Sequence, residues 1–458
     1  MMSRMKIEDN RCWPKAEFEE HLPHLTAQIA DKTLQKLHEE GVFIFPDIRE
    51  RKPEDLTDFH QMILRSQDGN YHTGNVMGFL GYTTPEGNTE HLTISSRFAQ
   101  GEQDFFLQYL LSKVVGVPNV FKFETGGDPN KHILDLLAFL FPSYLKQATR
   151  KGLFKMYQQK RYNDSNLRGT LDVARHIKQN VPFVGKIAYN RREYTYDNYL
   201  MELIRHTIEY IRGKAYGKPV LELAKDEVKQ VVEVTPQYQR YDRQRIVAEN
   251  LRHTVRHAYY HEYRDLQKLC IMILQNQRLG FGTNQRVYGV LFDGSWLWEE
   301  YVNTLVKEQF HHPMNKAKQG KHHLFHNENS NQENGEIYPD FIGNADPRIM
   351  ADAKYKPIQN IDRNDYFQML AYMMRFDAKQ GWFFYPKSEK DSTKSDTLHL
   401  LCGSTYEGGE QQRTDPIVVR KIGFSVPEEP EKYGDFCTKM KEAEGEFLKQ
   451  TVLTKKTP

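Results

Sequence analysis

The chain has 458 residues, 63 Lys and Arg against 61 Asp and Glu, a net charge of +2 and 39% apolar residues. That length suits about two or three domains with sizeable cores, and near-balanced charge excludes a whole-molecule attraction for nucleic acid, leaving local patches to supply it. The four cysteines (Cys12, Cys270, Cys402, Cys437) form no CxxC pair, which excludes a zinc ribbon, an iron–sulfur cluster or a secreted disulfide framework. With no apolar leader and no apolar run of about 18 residues, a soluble cytoplasmic protein with no membrane partner is expected.

Three regions and a tail follow along the chain. Residues 1–128 read as an α+β region. A helix is expected from Leu25 to Glu40, a strand at Val42–Phe45, and a strand pair, Val76–Tyr82 with His91–Ile94, around the turn Thr84–Asn88. A helix from Gln103 to Val115 comes next, then a loop at Glu124–Asn130 as a boundary. Residues 129–282 read as mainly helical and locally basic. They hold a strand-like piece, Arg168–His176, and helices Asp197–Arg212 and Asp242–Gln277. Arg243, Arg245, Arg252, Arg256 and Arg264 lie along the last of these, as a phosphate-facing row or a solvated face. Tyr259, Tyr260 and Tyr263 in the same stretch read as helix core ahead of base stacking.

Residues 283–426 alternate helix and strand. A helix is expected at Ser295–Phe310, strands around Asp340 and Asp352, a helix at Asp362–Phe376, then strands at Trp382–Tyr385, Leu398–Leu401 and Ile417–Phe424. The order α-β-β-α-β makes an α/β sheet with helices packed on it, so the fold class is mixed α/β, multidomain. Polar Asn327–Asn334 reads as a mobile loop, and residues 427–458 as a charged tail ending in a helix.

One stretch carries chemistry. Ile337–Lys356 reads as a strand with Asp340, a turn at Asn344–Pro347, and a second strand with Asp352 and Lys354. Residues two apart on a strand share a face, so Asp352 and Lys354 point together. A hard divalent cation held by one or two carboxylates can activate water and neutralise a phosphodiester, and an amine beside it stabilises developing charge. Glu299 or the adjacent Glu300, on a helix upstream, is placed to complete the metal shell. Gln368 and Tyr372, four apart on a helix downstream, share a face. Lys356 is the alternative amine if the register is shifted, and Asp346 reads as a turn former. Two decoys fit the acidic-acidic-lysine pattern. Asp47 to Lys52 leaves too few residues for two strands, and Glu227-Val-Lys229 lies on an expected helix. His311, His312, His322, His323 and His326 lack the spacing of a ligand pair, so zinc is not expected from them.

The third region resembles the PD-(D/E)xK nuclease superfamily, in the form Glu299, Pro339-Asp340, Asp352-Ala-Lys354, with Gln368 and Tyr372 as the accessory pair. More widely the chain resembles the McrC family, the nuclease subunits of McrBC-type modification-dependent restriction systems. That likeness is carried by Ile94–Phe98, Arg168–Ile177 and Arg192–Asn198. It implies a Mg²⁺-dependent endonuclease with Asp340, Asp352 and Lys354 catalytic, and DNA, including DNA with modified cytosine, as substrate. It also implies an McrB-type AAA+ GTPase as partner, stimulated through the N-terminal region. GTP would be bound by that partner, since this chain has no GxxxxGK[S/T] loop. Arg97, in a matched segment, is the candidate motor contact. The competing readings are a RecB-like repair or CRISPR-adaptation nuclease working without a GTPase, and a non-catalytic adaptor that activates a GTPase or recruits DNA.

Overall fold

The computed structural model describes residues 2–40, 42–45, 62–84, 86, 88–101, 103–114, 129–275, 287–313, 320–391, 395–403, 410–412 and 415–451. The chain is mixed α/β and divides into two compact units: Met1–Thr125 with Gly282–Pro458, and Gly126–Phe281. The decoy at Asp47–Lys52 and most of the expected boundary loop at Glu124–Asn130 lie outside the described residues.

The first unit starts with β1 (Met2–Glu8), β2 (Cys12–Pro14), α1 (Lys15–His21), α2 (Pro23–Ile29), α3 (Leu34–Glu40), β3 (Val42–Phe45), β4 (Leu64–Gln67), β5 (Asn70–Thr73), β6 (Val76–Thr83), β7 (Thr89–Ser95) and α4 (Phe105–Val114). The helix expected over Leu25–Glu40 is two helices. Asp31 sits at φ +56° and its carboxylate accepts the Ser66 amide at 2.7 Å, which turns the chain between them. The β6–β7 pair is antiparallel, from Gly78↔Ile94 to Thr83↔Thr89, closed by Thr84 N–H donating to Asn88 O.

The second unit holds α5 (Pro129–Thr149), β8 (Met156–Asp164), β9 (Thr170–Leu171), α6 (Val173–Asn180), β10 (Ile187–Thr195), α7 (Tyr199–Arg212), α8 (Gly217–Glu222), α9 (Lys225–Val234), α10 (Arg243–Arg252) and α11 (Glu262–Gln275). The strand expected over Arg168–His176 is only β9, because Asp172 accepts the Arg175 amide at 3.1 Å and starts α6 there. Asn198 caps α7 through the amides of Leu200 and Met201. The single helix expected over Asp242–Gln277 is α10 and α11. Buried Gln267 holds the break by accepting from Val255 N at 2.9 Å and donating to His253 O at 3.0 Å. The five arginines therefore fall on two helices and their connection, with Arg245 paired to Asp242 at 2.5 Å. Tyr263 is fully buried while Tyr259 is exposed.

The chain then completes the first unit with β11 (Tyr288–Asp293), α12 (Gly294–Val306), β12 (Phe310–His311), β13 (His322–Asn327), β14 (Gln332–Ile337), β15 (Phe341–Gly343), β16 (Ile349–Ala353), α13 (Arg363–Arg375), β17 (Gln380–Ser388), β18 (Asp396–His399), β19 (Leu401–Gly403), β20 (Glu410–Gln412), β21 (Val418–Val426) and α14 (Tyr433–Thr451). The expected separation of residues 1–128 from 283–426 gives way here. Strand β11 is built into the N-terminal sheet, whose order is β1-β7-β6-β11-β3. Its backbone lies so close to β6 that a Cβ on Gly78 would sit 2.1 Å from Val290 O, and one on Gly289 2.0 Å from Phe79 O.

The second large sheet has the order β12-β15-β16-β17-β21-β18, with β16, β17 and β21 parallel. Alternate residues face opposite helical layers, as strand geometry requires. Met350, Phe383 and Tyr385 share a core with Met369, Tyr372 and Met373 of α13. Trp382 and Phe384 lie on the other face, where Phe384 and Phe424 meet Phe447 of α14 and Phe424 meets Trp298 of α12. Phe436, Met440 and Phe447 of α14 are buried, so the expected tail is a packed layer. The expected loop Asn327–Asn334 is a hairpin of β13 and β14, turned at Asn331 with φ +52°. Among the described residues no helix is long and apolar enough to cross a membrane.

Candidate active site

Strand β15 pairs antiparallel with β16 in the register Phe341↔Ala351 and Ile342↔Met350. One residue further, that register sets Asp340 across from Asp352. Both carboxylates are buried, at 4% and 2% exposure. Asp340 Oδ2 accepts the Ala353 amide at 3.0 Å, which ties it to the strand that carries Asp352. The β16 strand ends as Lys354 N–H donates to Phe384 O at 2.8 Å.

Lys354 Nζ lies 2.7 Å from Asp352 Oδ2 and 3.5 Å from Asp365 Oδ1, and donates to Gln368 Oε1 at 2.9 Å. Gln368 Nε2 donates to Tyr372 Oη at 2.7 Å, and Tyr372 Oη donates to the Tyr338 carbonyl at 3.1 Å. The expected helical pair thus links the amine to the backbone two residues before Asp340. Burial disfavours charge on Lys354, but Asp352, Asp340 and Asp365 outweigh it and hold its pKa above the ordinary lysine value.

Glu299 and Glu300, expected to complete a metal shell, both face His312. His312, 8% exposed at its side chain, has Nε2 3.9 Å from Glu299 Oε1 and 3.7 Å from Glu300 Oε1. Its Nδ1 contacts the Asp340 carbonyl at 2.7 Å, and its ring stacks on Phe341 at 5.0 Å. Burial lowers the pKa of His312, but the glutamates and the Asp340 carbonyl prevail and push it up to about 9. A protonated imidazole, its Nδ1–H donating to the Asp340 carbonyl and its charge facing both glutamates, fits these partners. Among the described residues, no three His, Cys, Asp or Glu side chains are grouped to hold a metal ion. Asp340 and Asp352 offer hard carboxylate oxygens of the kind that suits Mg²⁺, an ion that keeps much of its water.

Two site residues had only weak signals in the sequence. Asp365 contacts Lys356 at 2.5 Å as well as Lys354, and also accepts the Asp362 amide in the capping box that starts α13. Its spacing of three from Gln368 puts both on one helix face. For His312 the sequence offered only its place in a histidine cluster without ligand spacing. Of the other histidines, His322, His323 and His326 lie on the β13–β14 hairpin, with His323 paired to Glu333 at 2.6 Å. Glu227 and Lys229 lie on α9, as expected of a decoy.

A family model described as McrBC 5-methylcytosine restriction system component matches residues 71–386, more than half of the chain. No curated protein matches it. Among solved structures, the chain is similar to one from the Thermococcus gammatolerans assembly of McrB AAA+ hexamers with bound McrC. Identity is 13%, with a TM-score of 0.45, covering 98% of this chain and 100% of that one. It is also similar to one from the cryo-EM structure of the Thermococcus gammatolerans McrBC complex. There identity is 12% and the TM-score 0.29, over 67% of this chain and 87% of that one.

Proposed function

This chain belongs to the McrBC family of 5-methylcytosine restriction system components, and from that premise we propose that it is the system's cutting subunit, a Mg²⁺-dependent DNA endonuclease of the PD-(D/E)xK type. The observation that carries this reading is the trio of buried Asp340, buried Asp352 and partly buried Lys354, with the ammonium 2.7 Å from one carboxylate and the other bonded to the neighbouring backbone. Asp340 and Asp352 would hold the ion. Bound there, Mg²⁺ supplies an activated water and neutralises charge on the phosphate. Lys354, kept cationic by its neighbours, takes no proton; it stabilises the negative charge that builds on the phosphate oxygens. Gln368 and Tyr372 aim it. Glu299 and Glu300 act through His312, which fixes the Asp340 carbonyl.

The partner in this reading is an McrB-type AAA+ GTPase, which the chain stimulates and which binds the GTP. DNA, with modified cytosine as its mark, is the substrate, and the complex works in the cytoplasm. One site cuts one strand, so a double-strand break takes two copies or two collided complexes. Membership of a restriction-system family disfavours the repair or adaptation nuclease without a GTPase, and the assembled trio disfavours a non-catalytic adaptor.

The test compares wild type with Asp352→Asn and Lys354→Ala on methylated and unmethylated plasmid, with Mg²⁺, GTP and the motor. Each substitution is expected to slow cutting about a hundredfold or more. Equal cutting by all three would overturn the site, and cutting without motor or nucleotide would overturn the two-subunit reading.

A further inference from the structure

The matched segment Ile94–Phe98 has no part in the chemistry above, yet it leads into a buried polar cluster behind the reactive strand. Arg97 and Asp9 form an ion pair at 2.9 Å, with side chains 5% and 0% exposed. The Arg97 amide donates to Asp9 Oδ1 at 2.7 Å, and Nη1 donates to Asn75 Oδ1 at 3.0 Å. Its other terminal nitrogen, Nη2, donates to the carbonyl of Tyr355, the residue directly after Lys354. The guanidinium lies 4.7 Å from the centre of the Tyr355 ring, and Phe98 packs edge-on against that ring at 5.1 Å. The Tyr355 hydroxyl meets Ser96 Oγ at 2.6 Å. A Cβ on Gly294 would come within 2.7 Å of the ring, so the start of α12 closes the remaining side. These placements leave only 5% of the Arg97 side chain exposed.

A fully buried ion pair recovers little net stability, because desolvating two charges offsets most of their attraction; apolar residues of equal volume often serve as well. A guanidinium does offer a rigid fork that can satisfy a carboxylate and a carbonyl together. Geometry is therefore the stronger reason for the pair. The chain at 355 is held on three sides, by Arg97, by Ser96 and by the head of α12. We propose that Arg97 and Asp9 are positioning residues for the cutting reaction: they clamp the backbone directly after Lys354 and so hold its ammonium between Asp352 and Gln368. The inference rests on the nuclease reading above, and it makes the N-terminal sheet part of the machinery that aims the site.

The test uses the full chain with the motor, GTP, Mg²⁺ and methylated plasmid. Arg97→Met alone leaves Asp9 buried without its cation and risks misfolding, so the main variant is Asp9→Asn with Arg97→Met. It is expected to melt near wild type and to keep its KM for DNA, with kcat about tenfold to a hundredfold lower. Hydrogen exchange of a peptide spanning residues 350–358 should quicken while exchange elsewhere in the sheet holds. Arg97→Lys should recover part of kcat, since an ammonium can pair with Asp9 but cannot also fork to the carbonyl. A folded double variant with unchanged exchange at 350–358 and kcat within about twofold of wild type overturns the proposal. Should the double variant not fold, Arg97→Lys decides on the same two readouts. Wild-type cutting by Lys354→Ala would instead sink the nuclease reading, while the exchange data would still report on the clamp.

Discussion

Lys354 shows how a single side chain is set for its task. The carboxylates of Asp352 and Asp365 lie beside it and favour its charge, and one amide oxygen directs its third side, which sets its aim. Charge and aim should separate in mutants. Gln368→Leu keeps every carboxylate but removes the acceptor, so kcat should fall about tenfold with little change in KM, since a misaimed group acts on the transition state. Tyr372→Phe leaves Gln368 in place but removes the acceptor for its amide and the donor to the Tyr338 carbonyl. A stability loss of about 1–2 kcal/mol is expected by urea denaturation, with a smaller effect on cutting. An effect of Tyr372→Phe on kcat larger than that of Gln368→Leu would mean the link runs through the Asp340 strand and not through Lys354.

Among the elements, α13 does two jobs with one turn. Asp362 and Asp365 form its capping box, and Asp365 also reaches Lys354 and Lys356. Asp362→Ala removes only the cap and should cost about 1 kcal/mol in thermal or urea melts without changing cutting. Asp365→Asn leaves a capping oxygen but takes a charge from both lysines, so it should disturb cutting more than stability. The opposite ranking would reduce Asp365 to a cap. In the N-terminal sheet, β6 and β11 approach too closely for side chains at Gly78 and Gly289. Gly78→Ala should destabilise the first unit severely, by strand separation, and a melt within 2 °C of wild type would contradict that contact.

For the whole molecule, the first unit is made from both ends of the chain. Tyr109 of α4 and Tyr301 of α12 both donate to buried Glu444 of α14, at 2.8 and 3.0 Å, and Phe105 packs on Tyr433 at 5.3 Å. A fragment holding only residues 283–458 loses the sheet that β11 completes and uncovers those side chains, so it should aggregate or lack a cooperative melt. A sharp melt from that fragment would show the N-terminal part to be dispensable. His312 adds a dependence on pH. Its folded pKa is raised from 6.5 to about 9, so its contribution is fully present below pH 6.5 and is lost as pH rises through about 9. The upper bound is roughly 3 kcal/mol from the size of that shift. Urea denaturation at pH 7 and pH 9.5 should show this loss in wild type and less of it in His312→Gln; equal losses would remove His312 as the cause.

Local pattern determined the parts of this protein whose partners lie close along the chain. Two apolar strands joined by a short turn bring Asp340 opposite Asp352, a period of two puts Lys354 beside Asp352, and a spacing of four aligns Gln368 with Tyr372. The chemistry of the candidate site was legible for that reason. Helix ends were less legible, because Asp31, Asp172 and Gln267 stop or start helices through bonds that a propensity pattern does not carry. Tertiary structure alone decided the rest. It drew Glu299 and Glu300 to His312, split the chain into units that ignore sequence order, and set Arg97 on the carbonyl of a residue 258 positions away. Those contacts join elements far apart in sequence, and their energy depends on burial and aim, which exist only once the sheets and helices have packed.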